Sequence, residues 1–297
     1  MRDAILLVFG IMQSIFRLIL WRPDVVYANG GYVCLPVGYA AWLLRIPLVI
    51  HDADAVAGLT NRLLAPLAAK IGTGLPLEYY DYPRSKATYV SVAISSDFKK
   101  VSDEQRKKLK KQLGFDDSRP LVVFTGGGQG ARQINDAVLL HYKELVSIAN
   151  VLLLSGASQY DDVRALTPPD DPRFLVKDFI PGLSTVFGAA DIVVTRAGAT
   201  ALLELAAMEI PTIVIPSNRL VWQVEHVKVF EKKQAVIVLD EDRFKDPKDT
   251  SLPDAVRSLA TNAALRKKLS SQLARFAHPQ AAHDMADVIV SEVRVRK

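Results

Sequence analysis

The chain has 297 residues, enough for two domains at roughly 100–200 residues each. Apolar residues make up 49% and charged residues 23%, which excludes a disordered or collagen-like chain, and the net charge of +5 suits anionic phosphates or a lipid surface without requiring a nucleic-acid partner. A single cysteine, Cys34, excludes an internal disulfide, and the five scattered histidines form no HExxH or i, i+4 pair, so no metal site is expected.

Residues 4–21 (AILLVFGIMQSIFRLILW) predict a helix whose polar residues Gln13, Ser14 and Arg17 share one stripe with Gly10. Its 18 residues fall short of the roughly 20 that span a bilayer, it lacks a signal-peptide cleavage site, and Pro23 leads into a strand within a few residues. Three readings stand: a crossover helix packed on a sheet, a helix lying in a membrane interface with Arg2, Arg17, Arg22 and Trp21 at the lipid boundary, or a true span. The first two are compatible in one helix. A strand at 24–28 then leads through the Gly30-Gly31-Tyr32 turn to a helix near 36–45 and a strand at 47–51. A polar loop at 52–57 precedes a helix near 59–70, and short apolar runs follow at 71–75 and 88–94.

Residues 97–119 are highly charged. Ser102 and Gln105 form a capping box, and the Lys/Arg run there is either a solvated helix face or a patch for phosphates or headgroups. From Pro120 onward, strands near 120–125, 150–155, 173–178, 191–195, 212–216 and 235–239 alternate with helices or turns. Three helices near 252–261, 263–276 and 280–294 close the chain. This alternation predicts parallel α/β architecture, divided into a partial domain at 1–98, a linker and helix at 99–119, and a fuller domain at 120–297.

Two glycine-containing turns carry the chemistry. The strand Leu121–Thr125 runs into Gly126-Gly127-Gly128-Gln129-Gly130-Ala131 and a helix, where backbone N–H groups can meet an anion. A dinucleotide fingerprint would need an acidic residue about 20 residues on, but the next strand ends in Ser155-Gly156, which weakens a nicotinamide or flavin reading. No P-loop motif is present. The second turn, Thr195-Arg196-Ala197-Gly198-Ala199-Thr200, opens a helix that carries Glu204, a carboxylate able to accept from a vicinal diol such as a ribose. Two such helix starts suggest a nucleoside-diphosphate ligand and the stabilisation of a departing diphosphate.

These residues, with Gly30-Gly31-Tyr32-Val33, Pro36, His51-Asp52-Ala53-Asp54 and Gly58-Leu59-Thr60-Asn61, resemble the motifs of the MurG-type GT-B glycosyltransferases, in order, from about residue 15 to 290. The resemblance implies a GT-B fold, two Rossmann-like domains facing a cleft, the N-terminal one incomplete. It implies transfer of N-acetylglucosamine from UDP-N-acetylglucosamine to lipid I, with inversion, in peptidoglycan synthesis and hence in cell shape and division. It implies no prosthetic group or metal, a polyprenyl-diphosphate acceptor, and a peripheral place on the cytoplasmic face of the cell membrane. On this resemblance the donor is held by Asp54, Gly126, Gly127, Gly128, Gln129, Ile180 (at the uracil), Gly198, Ala199, Thr200, Ala201, Leu202, Leu203, Glu204 (on the ribose) and Gln223 (at the sugar). The acceptor side has Gly30, Gly31, Tyr32 and Asn61, and the nearest candidates for a base are His51 and Asp52.

The sequence departs from the family pattern at several points. HEQN reads His51-Asp52-Ala53-Asp54, the serine of GGSQGA is Gly128, and QxxN reads Gln223-Val224-Glu225-His226. The family's opening strand, its Gly-rich loop with the usual base, and further βα units have no counterpart in the sequence. A truncated sequence, a complementing subunit that supplies the missing half, and a degenerate homologue would each account for that. The alternatives for activity are a transferase of the same fold acting on another lipid-linked acceptor, a non-catalytic UDP-sugar-binding subunit, and an unrelated redox domain.

Overall fold

The computed structural model describes residues 2–168 and 171–293. They form two compact units, one running to Ile94 and resuming at His278, the other spanning Ser95–Ala277.

The first unit opens with helix α1 (Arg2–Trp21), followed by β1 (Val26–Ala28), α2 (Cys34–Leu43), β2 (Leu48–Asp52), α3 (Leu59–Leu64), β3 (Lys70–Thr73) and β4 (Ala87–Tyr89). The strands form one parallel sheet in the order β1-β2-β3-β4. Helix α3 stops well short of the expected residue 70. Pro66 has no N–H to return to Arg62, and by Lys70 the chain is already a strand. The apolar run at 88–94 contributes only the end of the three-residue β4, because Val90 and Ser91 both turn their N–H groups onto Thr73 O and Ser91 adopts φ +62°.

Helix α1 packs on α2 through its small-residue face. A Cβ on Gly10 would come within 3.2 Å of Pro36 Cβ, Ser14 Oγ donates to Gly10 O at 2.7 Å, and Leu18 is buried. The stripe seen in the sequence is therefore split: Gly10 and Ser14 face α2, while Gln13 and Arg17 are exposed. Phe9, Met12, Phe16, Leu20 and Trp21 are also exposed, at 61–80% of their surface. No helix among the described residues is long and apolar enough to cross a membrane.

The second unit contains α4 (Asp103–Gln112), β5 (Leu121–Thr125), α5 (Arg132–Leu140), α6 (Tyr142–Ile148), β6 (Asn150–Leu154), α7 (Tyr160–Leu166) and β7 (Phe174–Lys177). It continues with α8 (Leu183–Ala189), β8 (Ile192–Thr195), α9 (Ala199–Met208), β9 (Thr212–Val214), α10 (Val221–Lys232), β10 (Ile237–Val238), α11 (Ser251–Thr261) and α12 (Ala263–Leu273). Its parallel sheet has the order β10-β9-β8-β5-β6-β7. β5 and β6 are buried along their whole length, as their unbroken apolar runs require of a sheet covered on both faces.

The capping box at Ser102 forms in both directions and starts α4. Lys107, Lys108 and Lys111 on α4 are solvated, but Lys110 turns inward to Asp191 at 2.5 Å and to Arg119 O at 3.0 Å. Asp191 also accepts the N–H of Leu121, so one carboxylate ties α4 to the start of β5.

The last helix, α13 (Ala281–Ser291), returns to the first unit, where the expected division grouped it with residues 120–297. Met285 packs with Val49 and Val90, and a Cβ on Gly72 would lie 2.8 Å from its sulfur.

Lys110→Ala removes the cation and leaves Asp191 partly buried with a single N–H. The expected loss is about 2 kcal/mol, below the range for a fully buried pair, seen as a fall in Tm of roughly 5 °C.

Candidate functional site

β5 and β8 are adjacent and in register, Thr125 opposite Thr195, while the chain proceeds from β5 to β6 on one side and from β8 to β9 on the other. This is a topological switch point, where the carboxyl ends of neighbouring strands open a crevice. Both glycine turns lie there. The first needs its glycines for different reasons: Gly127 has φ +81°, and a Cβ on Gly130 would lie 2.0 Å from Ser155 O. Thr125 Oγ1 accepts the Gly127 N–H at 3.2 Å, and Ser158 Oγ donates to Gln129 O at 3.1 Å, fixing the loop from both sides. Gly128 and Gly198 face open space.

Helices α5 and α9 begin at Ala131 and Gly198, and neither residue supplies a side-chain cap. Their first N–H groups and the positive ends of their dipoles are thus directed into the crevice, an arrangement suited to phosphate oxygens. Glu204 lies on the second turn of α9, half-buried and without a hydrogen-bond partner among the described residues. Burial alone pushes its pKa up to about 7. Two hydroxyl donors would satisfy its oxygens. Of the expected run 199–204, Ala199, Thr200, Ala201 and Glu204 are at least partly accessible. The side chains of Leu202 and Leu203 are buried in the core, so helical periodicity removes these two from direct ligand contact. Ile180 is partly exposed on the loop after β7, at the same sheet edge. Gln223, in the first turn of α10, uses its side-chain oxygen to accept the Ser217 N–H at 3.0 Å.

A buried ion pair runs beneath these loops. Arg196 Nη1 meets Glu241 Oε2 at 2.6 Å and donates to Ile215 O at 3.0 Å, and its Nη2 donates to Gln133 Oε1 at 3.1 Å. Glu241 Oε1 accepts the Asn218 N–H at 2.7 Å and the Ser217 hydroxyl at 3.3 Å. Gln133, Ser217, Asn218 and Glu241 were not foreseen from the sequence. The available signal was Arg196 itself, a cation on a turn that packing must cover and that therefore needs an acid.

In the first unit the polar motif residues gather at the ends of β1 and β2. Gly30 and Gly31 both have positive φ, and Tyr32 is 84% exposed. Asn61 is buried and donates to His51 O at 3.0 Å. His51 Nδ1 lies 2.9 Å from the Asn29 side-chain amide, and its Nε2 lies 2.9 Å from Ser91 O. Burial holds the ring below its usual pKa and hence neutral. Asp52 accepts from Tyr82 OH at 2.7 Å, and burial keeps its carboxyl above the usual range although Tyr82 and Asn61 oppose the shift. Asp54 is raised by burial and then by Asp52, and its carbonyl accepts from Tyr80 OH at 2.9 Å. His51 and Asp52 were the nearest candidates for a base. Both are buried and committed to neighbours, so here they shape the loop and do not present a free proton acceptor. Beside this loop, Arg62, Lys86, Tyr79, Tyr80 and Tyr82 line a cavity of about 670 Å³.

The glycosyltransferase family 28 C-terminal domain matches residues 121–285, and the N-terminal domain of that family matches residues 1–73. The UDP-N-acetylglucosamine--N-acetylmuramyl-(pentapeptide) pyrophosphoryl-undecaprenol N-acetylglucosamine transferase of Geobacillus thermodenitrificans is 32% identical over 271 residues, 90% of this chain and 73% of that protein. Among solved structures, Acinetobacter baumannii MurG is similar with a TM-score of 0.74 at 23% identity, covering 95% of this chain and 77% of that one. A UDP-GlcNAc 2-epimerase from Neisseria meningitidis, bound to UDP-GlcNAc, shares the fold with a TM-score of 0.70 at 11% identity, covering 96% and 81%.

Glu204 binds its proton more tightly folded, near pH 7, than unfolded, near about 4.3. Its ionisation therefore destabilises the fold progressively as pH rises between those values. Glu204→Gln is expected to raise Tm by a few degrees at pH 8 and to leave it unchanged at pH 4.5, as read by thermal melts at both pH values.

Proposed function

We propose a reaction from one premise: the chain belongs to glycosyltransferase family 28, in its MurG-type branch, and has the GT-B fold. It is a UDP-N-acetylglucosamine-dependent hexosyltransferase that moves N-acetylglucosamine onto the undecaprenyl-diphosphoryl-muramoyl-pentapeptide of peptidoglycan synthesis, lipid I. The observation that carries the donor half is the pair of uncapped helix starts at the switch point, with an unpartnered, half-buried Glu204 one turn further on.

In this reading the diphosphate rests against Gly126, Gly127, Gly128 and Gln129 and the start of α9, Glu204 accepts from the ribose hydroxyls, Ile180 lies against the uracil, and Gln223 reaches the sugar. The acceptor hydroxyl attacks the anomeric carbon on the face opposite the diphosphate, and its proton passes to solvent water. The bond from that carbon to the diphosphate oxygen breaks, and UDP leaves with the electron pair. The helix N-termini stabilise the charge that develops on the departing oxygen, in a setting already oriented before the reaction.

The acceptor is lipid-linked, and we place the protein peripherally on the cytoplasmic face of the cell membrane. The apolar face of α1, with Phe9, Met12, Phe16, Leu20 and Trp21 exposed beside Arg17, supports an interfacial docking helix.

Calorimetry tests the donor site. UDP and UDP-N-acetylglucosamine are expected to bind, and Glu204→Ala to weaken both at least tenfold. No binding by the folded protein would overturn the reading, whereas binding without turnover would favour a donor-binding subunit that needs a complementing chain. For the membrane, Phe16→Glu is expected to release the protein from anionic vesicles in co-sedimentation, and unchanged sedimentation would refute docking by α1.

A further inference from the structure

The Arg196–Glu241 pair is almost fully withdrawn from solvent, with side-chain exposures of 12% and 5%. Taking two charges out of water is costly, and the attraction between them seldom stabilises a fold beyond what apolar residues of the same size would achieve. Its consequence here is geometric. The guanidinium reaches α5 through Gln133, the end of β9 through Ile215 O, and the acid at residue 241. Glu241 then spends its second oxygen on the turn at Ser217 and Asn218.

That turn sets the orientation of Gln223. The Ser217 N–H donates to Gln223 Oε1, so the amide oxygen is turned toward the loop and the NH2 is the end left facing away from it, to meet a ligand. An NH2 recognises acceptor oxygens, such as the ring hydroxyl oxygens of a hexose or an acetamido carbonyl. A free amide could flip and present either end. The chain of contacts from Glu241 through Ser217 to Gln223 therefore selects which end faces outward.

We propose that Glu241 is a positioning residue for donor-sugar recognition, acting through the Ser217–Asn218 turn on Gln223. This rests on the donor site proposed above. The Asn218 side chain also bonds Asp240 at 2.7 Å and Asp242 at 2.8 Å, so the turn keeps a second tether when Glu241 is changed. Glu241→Gln therefore alters the charge and the hydrogen bonds while preserving volume and a folded loop.

The test is a binding cycle on the full chain, with UDP and UDP-N-acetylglucosamine as probes. Glu241→Gln is expected to raise the ratio of the UDP-N-acetylglucosamine Kd to the UDP Kd about tenfold, with the UDP Kd changed less than twofold. Gln223→Ala is expected to give a similar ratio, and the double variant no more than Gln223→Ala alone, because the two act on one contact. Equal weakening of both ligands, an unchanged ratio, or additive effects in the double variant would overturn the proposal. If Glu241→Gln does not fold, Arg196→Met with Glu241→Leu removes both buried charges together and is read in the same way. Failure of the unmodified protein to bind either probe refutes the donor site itself and this proposal with it. Intact wild-type binding with an unmoved ratio refutes only the role of Glu241.

Discussion

The constraint on which the second unit depends is the parallel pairing of β5 with β8. Strand–helix connections in a parallel sheet are right-handed, so a chain that winds away from the centre in both directions sends its crossovers to opposite faces. At the centre no loop crosses from β5 to β8, and the space above their carboxyl ends stays open. Every helix that follows a strand starts at that edge, and the two starts nearest the gap are those of α5 and α9. The place proposed for the donor's diphosphate thus follows from topology before any side chain is considered. The glycines then keep the space clear: a Cβ at Gly126 would lie 2.2 Å from Ala131 N, and one at Gly130 would strike Ser155 O.

Side chains enter as second-order choices, and the two units use buried polar groups differently. In the second unit the buried pair Arg196–Glu241 braces loops around an open crevice, and Glu204 is left with unsatisfied capacity. In the first unit several of the polar residues bond one another, although Asn61 Oδ1 is buried without a partner among the described residues. His51 bridges the Asn29 and Ser91 segments, and Tyr80 and Tyr82 clamp the loop that runs from Asp52 to Asp54. Polar groups that are mutually bonded and buried define a shape; those that are desolvated and unpartnered are available to a ligand.

This difference sets what could be read from the sequence. Strand runs such as Leu121–Thr125 and Asn150–Leu154, the glycine turns after them, and the Ser102 capping box are local patterns, and all appear in the structure near the expected positions. The extent of α3 needed the competing rule that Pro66 cannot continue a helix. The return of α13 to the first sheet was invisible, because it depends on Met285 meeting Val49 and Val90, contacts between residues far apart in the chain. Glu241 was missed for the same reason: it lies 45 residues from Arg196, and spacing carries no information about such a pair. Burial of His51 and Asp52 likewise emerged only once neighbouring strands closed over them.

Gly128 shows how far the donor turn can depart from its family pattern without loss of form. Its φ is not positive and nothing lies within reach of a Cβ there, so neither backbone strain nor packing demands glycine. The loop is held from elsewhere, by Thr125 on one side and by Ser158 and the Ser155–Gly156 contact on the other. On the proposed donor site, the hydroxyl that a serine would add is a supplement to backbone N–H donors, which every residue except proline supplies. A turn built in this way tolerates side-chain change at its open position and is strict at Gly126, Gly127 and Gly130, where a Cβ would strike the main chain or φ is positive.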